Sequence, residues 1–201
     1  MLVNLKNIKF IGDLSLEDAD ILAGYAKNCE KILEFGSGGS TQIFAQSNAR
    51  SIISVETDQK WIDLTASRLA QFGTTVVEFS SYATHFDKFF DLIFVDGVDS
   101  LRKDFAIKTW KLLKLNGIML FHDTRRFRDF QNVAWISQLY FNEIKQIDVN
   151  ATASNGISSN ITVLHKKQYE PYVNWNKSEN KPEWSYGKSD DAEHLLWEYK
   201  K

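Results

Sequence analysis

The chain has 201 residues, 43% hydrophobic and 25% charged, with a formal net charge of −2. These values fit one globular domain, exclude a fibrous or disordered chain, and leave no basic footprint for nucleic acid. No apolar run approaches the roughly 20 residues of a bilayer span. Asn4, Lys6 and Lys9 stand where a secretion signal would be apolar, and the single cysteine, Cys29, excludes an internal disulfide or a cysteine-based zinc site. The expectation is a soluble cytoplasmic protein with neither nucleic acid nor membrane as a partner.

Ser15 with Asp18 three residues on reads as a capping box, and Leu16, Ala19, Leu22 and Ala26 recur at helical spacing, which predicts a helix over 15–29. A short apolar strand, Lys31 to Phe35, breaks into Gly36-Ser37-Gly38-Gly39-Ser40-Thr41 and resumes as a helix with Ile43, Phe44 and Ala45. The pattern repeats: strand 51–56, helix 59–72, strand 74–79, and a strand over 90–96 apolar enough to be buried on both faces. A helix over 101–115 is expected to stop at Asn116-Gly117, followed by strand 118–121 and helix 130–140. Two final strands, 143–149 and 157–165, are joined by the turn Ser154-Asn155-Gly156, a connection too short for anything but antiparallel pairing. Strands alternating with helices imply an α/β fold with a mostly parallel sheet covered on both faces.

The composition shifts near residue 168. All 14 Phe lie at or before Phe141, while both prolines, Pro171 and Pro182, and Trp175, Trp184 and Trp197 fall in the last 33 residues. The expected organisation is therefore one domain over 1–168 and an aromatic C-terminal extension over 169–201. The extension's aromatics suit a lid, a stacking surface for an acceptor, burial against a second subunit in a homodimer, or plain surface packing.

In an open α/β sheet, ligands bind beyond the C-terminal strand ends. Gly36 and Gly38 end the first strand there, and Glu56 ends the second, 20 residues after Gly36. That is the spacing at which a carboxylate accepts hydrogen bonds from both hydroxyls of a ribose, which points to a nucleoside cofactor. The dinucleotide fingerprint needs a third glycine where Thr41 stands, so NAD and an oxidoreductase are disfavoured. Glu34 instead begins the pattern E-x-G-x-G-x-S.

On four stretches in order the sequence resembles the class I S-adenosylmethionine (SAM) methyltransferases, and in particular the small O-methyltransferase-like members. They are Ile32 to Thr41, Ser54-Val55-Glu56-Thr57-Asp58, Phe90 to Gly97, and Gly117 to Thr124. The resemblance covers about residues 15–165. It implies a Rossmann-like, doubly wound seven-stranded sheet, mostly parallel with an antiparallel last strand, with SAM over the Gly36–Gly38 turn. It further implies cofactor contacts from Glu34, Gly36, Ser37, Gly38, Ser40, Thr41, Glu56 and Asp96, with Ser81 and Tyr82 near the adenine.

Asp96 and Asp123 close the fourth and fifth strands, so both carboxylates are expected in one crevice beside the reacting methyl group. Metal-dependent relatives place acidic residues there, which implies a divalent ion such as Mg²⁺ at Asp96 and Asp123, binding a hydroxyl acceptor and lowering its pKa. A metal-free alternative makes His122, as a neutral imidazole, the general base. Strand alternation predicts that His122 and Asp123 face opposite ways, which favours Asp123. Arg125, Arg126 and Arg128 follow at the crevice mouth and suit an anionic acceptor such as a sugar nucleotide, or else a solvated loop. The remaining histidines, His85, His165 and His194, and Cys29 are read as structural or surface residues. The functional expectation is SAM-dependent O-methylation of a small-molecule or glycosylated acceptor. The alternative is a non-catalytic methyltransferase-like module that binds a nucleoside or a protein.

Overall fold

Apolar residues of alternating period 2 and 3.6 place seven strands between two layers of helix. The computed structural model describes residues 9–70, 77–82, 86 and 89–169. In chain order these form α1 (Leu16–Ala26), β1 (Lys31–Phe35), α2 (Gly39–Phe44), β2 (Ser51–Val55), α3 (Gln59–Leu69) and β3 (Val77–Ser80). There follow β4 (Phe90–Val95), α4 (Asp99–Trp110), β5 (Leu113–Phe121), α5 (Phe127–Leu139), β6 (Ile144–Asp148) and β7 (Thr162–Lys166). The sheet order is β3-β2-β1-β4-β5-β7-β6. Among the described strands β7 runs against both of its neighbours, pairing antiparallel with β5 and with β6. The sheet is thus the Rossmann-like, mostly parallel architecture with an antiparallel last strand.

Successive residues of each strand serve opposite cores. Ile32, Ile52, Leu92, Phe94, Ile118 and Leu120 pack with Leu22 of α1 and Phe44 of α2. Leu33, Phe35, Ile53, Ile93, Val95 and Phe121 pack with Phe105 of α4 and Ile136 of α5. Burial on both faces is why β1 and β4 read as nearly continuous apolar runs. The order also reverses at β1, where β2 lies on one side and β4 on the other, and a crevice opens at such a switch point.

α1 begins with the expected capping box, Ser15 Oγ accepting from Asp18 N at 3.0 Å and the Asp18 carboxylate accepting from Ser15 N at 3.2 Å. The helix after β4 differs from the expected 101–115. It starts at Asp99 and ends at Trp110, because Leu112 O accepts from Phe90 N at 2.8 Å and Leu113 pairs with Phe90, drawing that stretch into β5. Asn116, at φ 62°, and Gly117 are then an irregularity in β5 rather than a helix stop, and the register shifts between Phe90 and Leu92. Of the strand expected over 74–79, residues 74–76 lie outside the described residues. No helix among the described residues is long and apolar enough to cross a membrane. The chain divides after Gln168. Apart from Tyr169, the 169–201 extension lies outside the described residues.

Candidate active site

A cleft of about 440 Å³ opens at the C-terminal ends of β1, β2, β4 and β5. Its walls are the glycine turn after β1, Glu56 to Asp58 after β2, Asp96 to Asp99 after β4, and His122 with Asp123 after β5. Gly36 has φ +95°, and a Cβ there would lie 2.8 Å from Gly97 N and 2.9 Å from the Asp96 carbonyl. The glycine therefore lets the turn after β1 press against the backbone after β4. Asp96 N donates to Phe35 O at 2.8 Å across that join, and Gly36 N donates to Val55 O at 2.9 Å to tie the turn to β2.

Four residues expected at the cofactor are not among the described residues that line the cleft. Glu34 lies on the α1–α2 side of β1, fully buried, and accepts a 2.9 Å hydrogen bond from Ser40 Oγ. It lies outside the cleft lining and ties the start of α2 to the sheet. Burial pushes its carboxyl up to about 7, with Thr41, Ser54 and Ser40 opposing. Thr41 is also fully buried, its Oγ1 accepting from Gly38 N at 2.9 Å, so it closes the turn from within. Tyr82 points into the core beneath α4, its ring 5.5 Å from Phe35 and 6.4 Å from Phe105. Ser81 is exposed and, like Tyr82, lies outside the cleft lining. By contrast Gly36, Ser37, Gly38, Ser40 and Glu56 line the cleft. Glu56 Oε2 accepts from Ser37 N at 2.9 Å and Oε1 from Thr57 N and Asp58 N at 2.6 and 3.0 Å. The Ser37 and Thr57 hydroxyls reach the same carboxylate more weakly, at 3.3 and 3.4 Å.

The opposite wall gathers charge. Asp123 has φ +61°, which breaks strand alternation directly after β5. His122 and Asp123 therefore both reach the cleft, contrary to the alternation argument, with His122 Nδ1 3.6 Å from Asp123 Oδ2. The His122 ring is nearly buried, with Nδ1 3.1 Å from Asp96 Oδ1 and Nε2 3.4 Å from Asp18 Oδ2. Burial favours the neutral ring, but bonds to Asp123, Asp18 and Asp96 outweigh it and push the imidazole up from 6.5 to about 12. The three carboxylates thus favour the protonated ring over the neutral one that the metal-free alternative needs. Burial raises the Asp123 carboxyl, yet the His122 bond and the charges of His122, Arg126 and Arg102 hold it below its ordinary value.

Arg102 escaped sequence reading because it appears there as one more charge on an amphipathic helix. From α4 its guanidinium reaches inward, side chain 8% exposed, to Asp96 Oδ1 at 3.1 Å, Asp99 Oδ1 at 3.3 Å, Asp123 Oδ2 at 3.5 Å and Asp129 Oδ1 at 3.0 Å. It also donates to the Gly97 carbonyl at 2.7 Å. Arg126 lines the cleft and pairs with Asp123 and Asp129. Arg125 turns away to the Ser158 carbonyl, and Arg128 pairs with Asp99, so the expected basic mouth is neutralised. Residues Ile11 to Leu14 also line the cleft, which no periodicity announced. Gly39 N donates to Ile11 O at 3.0 Å and Ile11 N to Gln42 Oε1 at 2.9 Å, so this segment is bound over the glycine turn beside Trp61.

Ligand atoms of Asp96, His122 and Asp123 lie within 4.8 Å of one another, close enough for one metal ion. Their chemistry does not fit a hard divalent cation. Both His122 nitrogens already face carboxylates, Nδ1 that of Asp96 and Nε2 that of Asp18, so neither is free to ligate an ion. The guanidinium of Arg102 already spans the two carboxylates.

A family model described as a methyltransferase domain matches residues 33–124. No curated protein matches the chain. Among solved structures, an O-methyltransferase from Streptomyces achromogenes, involved in tomaymycin synthesis and in complex with SAM, is similar with TM-score 0.61 and 17% identity, over 77% of this chain and 81% of that one. An O-methyltransferase from Bacillus cereus in complex with S-adenosylhomocysteine (SAH) gives TM-score 0.60 and 18% identity, over 77% and 83%. A methyltransferase-like protein from Silicibacter pomeroyi gives 0.55 and 19%, over 80% and 90%. With this strand order and this glycine turn the chain shares the fold of these methyltransferases, and its residues 33–124 are similar to a methyltransferase domain.

Proposed function

We propose that the chain transfers the methyl group of SAM to an oxygen of a small acceptor. The carrying observation is that one cleft joins the Gly36–Gly38 turn and Glu56 to Asp96, His122 and Asp123. Among the described residues that line it, Asp13, Glu56, Asp58, Asp96, Asp99 and Asp123 stand against Arg102, Arg126 and His122. An acidic cavity suits a cationic cofactor, and it favours a neutral hydroxylic acceptor, glycosylated or not, over the anionic one that the arginine run suggested.

Bound there, SAM supplies a sulfonium-activated methyl group. Gly36, Ser37 and Gly38 receive it along their backbone, and Glu56 holds the ribose. The diol replaces the two weakest bonds to that carboxylate, those of the Ser37 and Thr57 hydroxyls. Asp123 accepts a hydrogen bond from the acceptor hydroxyl and takes its proton as the new C–O bond forms and the C–S electron pair passes to sulfur, leaving SAH. A carboxylate with a depressed pKa is a weak base, so the fitting acceptor is an acidic hydroxyl such as a phenol or enol. Alignment of nucleophile, methyl and sulfur supplies the remaining acceleration.

Calorimetric titration with SAM and SAH tests the reading. The wild type binds both, and Glu56→Ala weakens SAH by roughly 10- to 100-fold, the worth of charge-assisted bonds. A wild type that binds neither ligand ends the proposal, and undiminished binding by Glu56→Ala removes the ribose assignment.

A further inference from the structure

The metal-like trio and the inward arginine point to one conclusion. We infer that Arg102 stands in the role a divalent cation would fill, so that this chain excludes such ions and organises its strand-end carboxylates with a side chain. The inference rests on the methyl-transfer reading for its purpose, although ion exclusion is measured without it.

One guanidinium reaches Asp96 after β4 and Asp123 after β5, at 3.1 and 3.5 Å. It also binds Asp129 of α5, whose side chain is 2% exposed. Its Nη2 donates to the Asp96 carbonyl at 3.2 Å and its Nε to the Gly97 carbonyl at 2.7 Å, the backbone that abuts Gly36. A planar fork with five fixed donors can bridge several acceptors at once, as a point charge on a flexible stem cannot. The guanidinium cannot yield by losing a proton. It is also nearly buried, so a divalent ion approaching Asp96 and Asp123 meets a fixed, weakly screened positive charge. His122 Nδ1, 3.1 Å from the same Asp96 oxygen, occupies a further side of that carboxylate. Arg102 is thus a positioning residue that holds two cleft walls in register.

Mn²⁺ is the probe, because its paramagnetic resonance signal reports the free ion. With the full chain the wild type leaves that signal undiminished, its affinity being weaker than about 1 mM. Arg102→Met, which keeps much of the apolar stem, takes up one Mn²⁺ at least about tenfold more tightly than the wild type. Arg102→Lys retains the charge and continues to exclude the ion. Uptake of one Mn²⁺ by the wild type, abolished in Asp96→Asn, overturns the inference, as does an Arg102→Met variant that folds normally by circular dichroism and still excludes Mn²⁺. Should Arg102→Met fail to fold, the wild-type titration decides alone: exclusion supports the inference and uptake overturns it. SAH calorimetry on the same wild-type sample, with Mg²⁺ and with chelator, separates the two readings. Equal SAH binding in both supports metal independence, whereas absent SAH binding with Mn²⁺ exclusion intact defeats the methyl-transfer reading alone.

Discussion

Replacing Gly36 by alanine asks whether the contact between the turn after β1 and the backbone after β4 sets the geometry of the cleft. The new methyl would sit 2.8 Å from Gly97 N and 2.9 Å from the Asp96 carbonyl, where only backbone can give way. Holding a non-glycine residue at φ +95° costs about 1–2 kcal/mol, and shifting the abutting backbone about 1–3 kcal/mol more. The expected loss is about 3 kcal/mol, or roughly 6–12 °C in melting temperature for a domain of this size. Gly156→Ala is the control, since Gly156 has φ +82° but nothing within 4 Å of an added Cβ. It carries the dihedral cost alone, about 1–2 kcal/mol. Melting by circular dichroism and SAH calorimetry on both variants separate strain from contact. Gly36→Ala should melt several degrees below Gly156→Ala and bind SAH more weakly, because Asp96 and Gly97 wall the cleft. Equal melting temperatures for the two variants would refute the close-approach argument.

Two further predictions concern groups outside the reacting centre. Burial raises the Glu34 carboxyl from 4.5 to about 7, so the folded state holds that proton more tightly than the unfolded chain. Its contribution is full below about pH 4.5 and is lost as pH rises through about 7, a loss on the order of 2–3 kcal/mol. Glu34→Gln keeps an acceptor for Ser40 but does not titrate, so its urea midpoint should gain on the wild type between pH 5 and pH 8, and parallel midpoints would contradict the assignment. Trp61 lines the cleft beside Gly12 and Gly38. SAH should therefore change the intrinsic fluorescence, most of that change should vanish in Trp61→Phe, and an unaltered response would remove Trp61 from the ligand's surroundings.

Local rules made much of the fold and the position of the site legible. Ser15 with Asp18 marked the first helix start, and apolar runs marked β1, β2 and β4, because capping and two-faced burial each leave a short-range pattern. The end of α4 was not legible. Leu112 and Leu113 suit a helix, and their bond and pairing with Phe90 decide otherwise. Glycines and Glu56 could be assigned to the strand ends because topology fixes where ligands sit on such a sheet.

Roles within the site were decided by tertiary structure. The family resemblance implied ligand contacts from Glu34, Thr41 and Tyr82, yet the two faces of β1, the closure of the turn and the packing of Tyr82 against Phe35 and Phe105 turn all three away from the cleft. His122 was legible as a candidate base, and only the fold surrounds it with the carboxylates of Asp18, Asp96 and Asp123, from three separate elements. Arg102 gave no sequence signal at all. Charge acts through space over a few ångströms, so its consequences for a site depend on which distant residues the fold brings together. The sequence determined the sheet and where its crevice opens; the packed structure decided which charges meet there, and hence whether a metal or an arginine holds them.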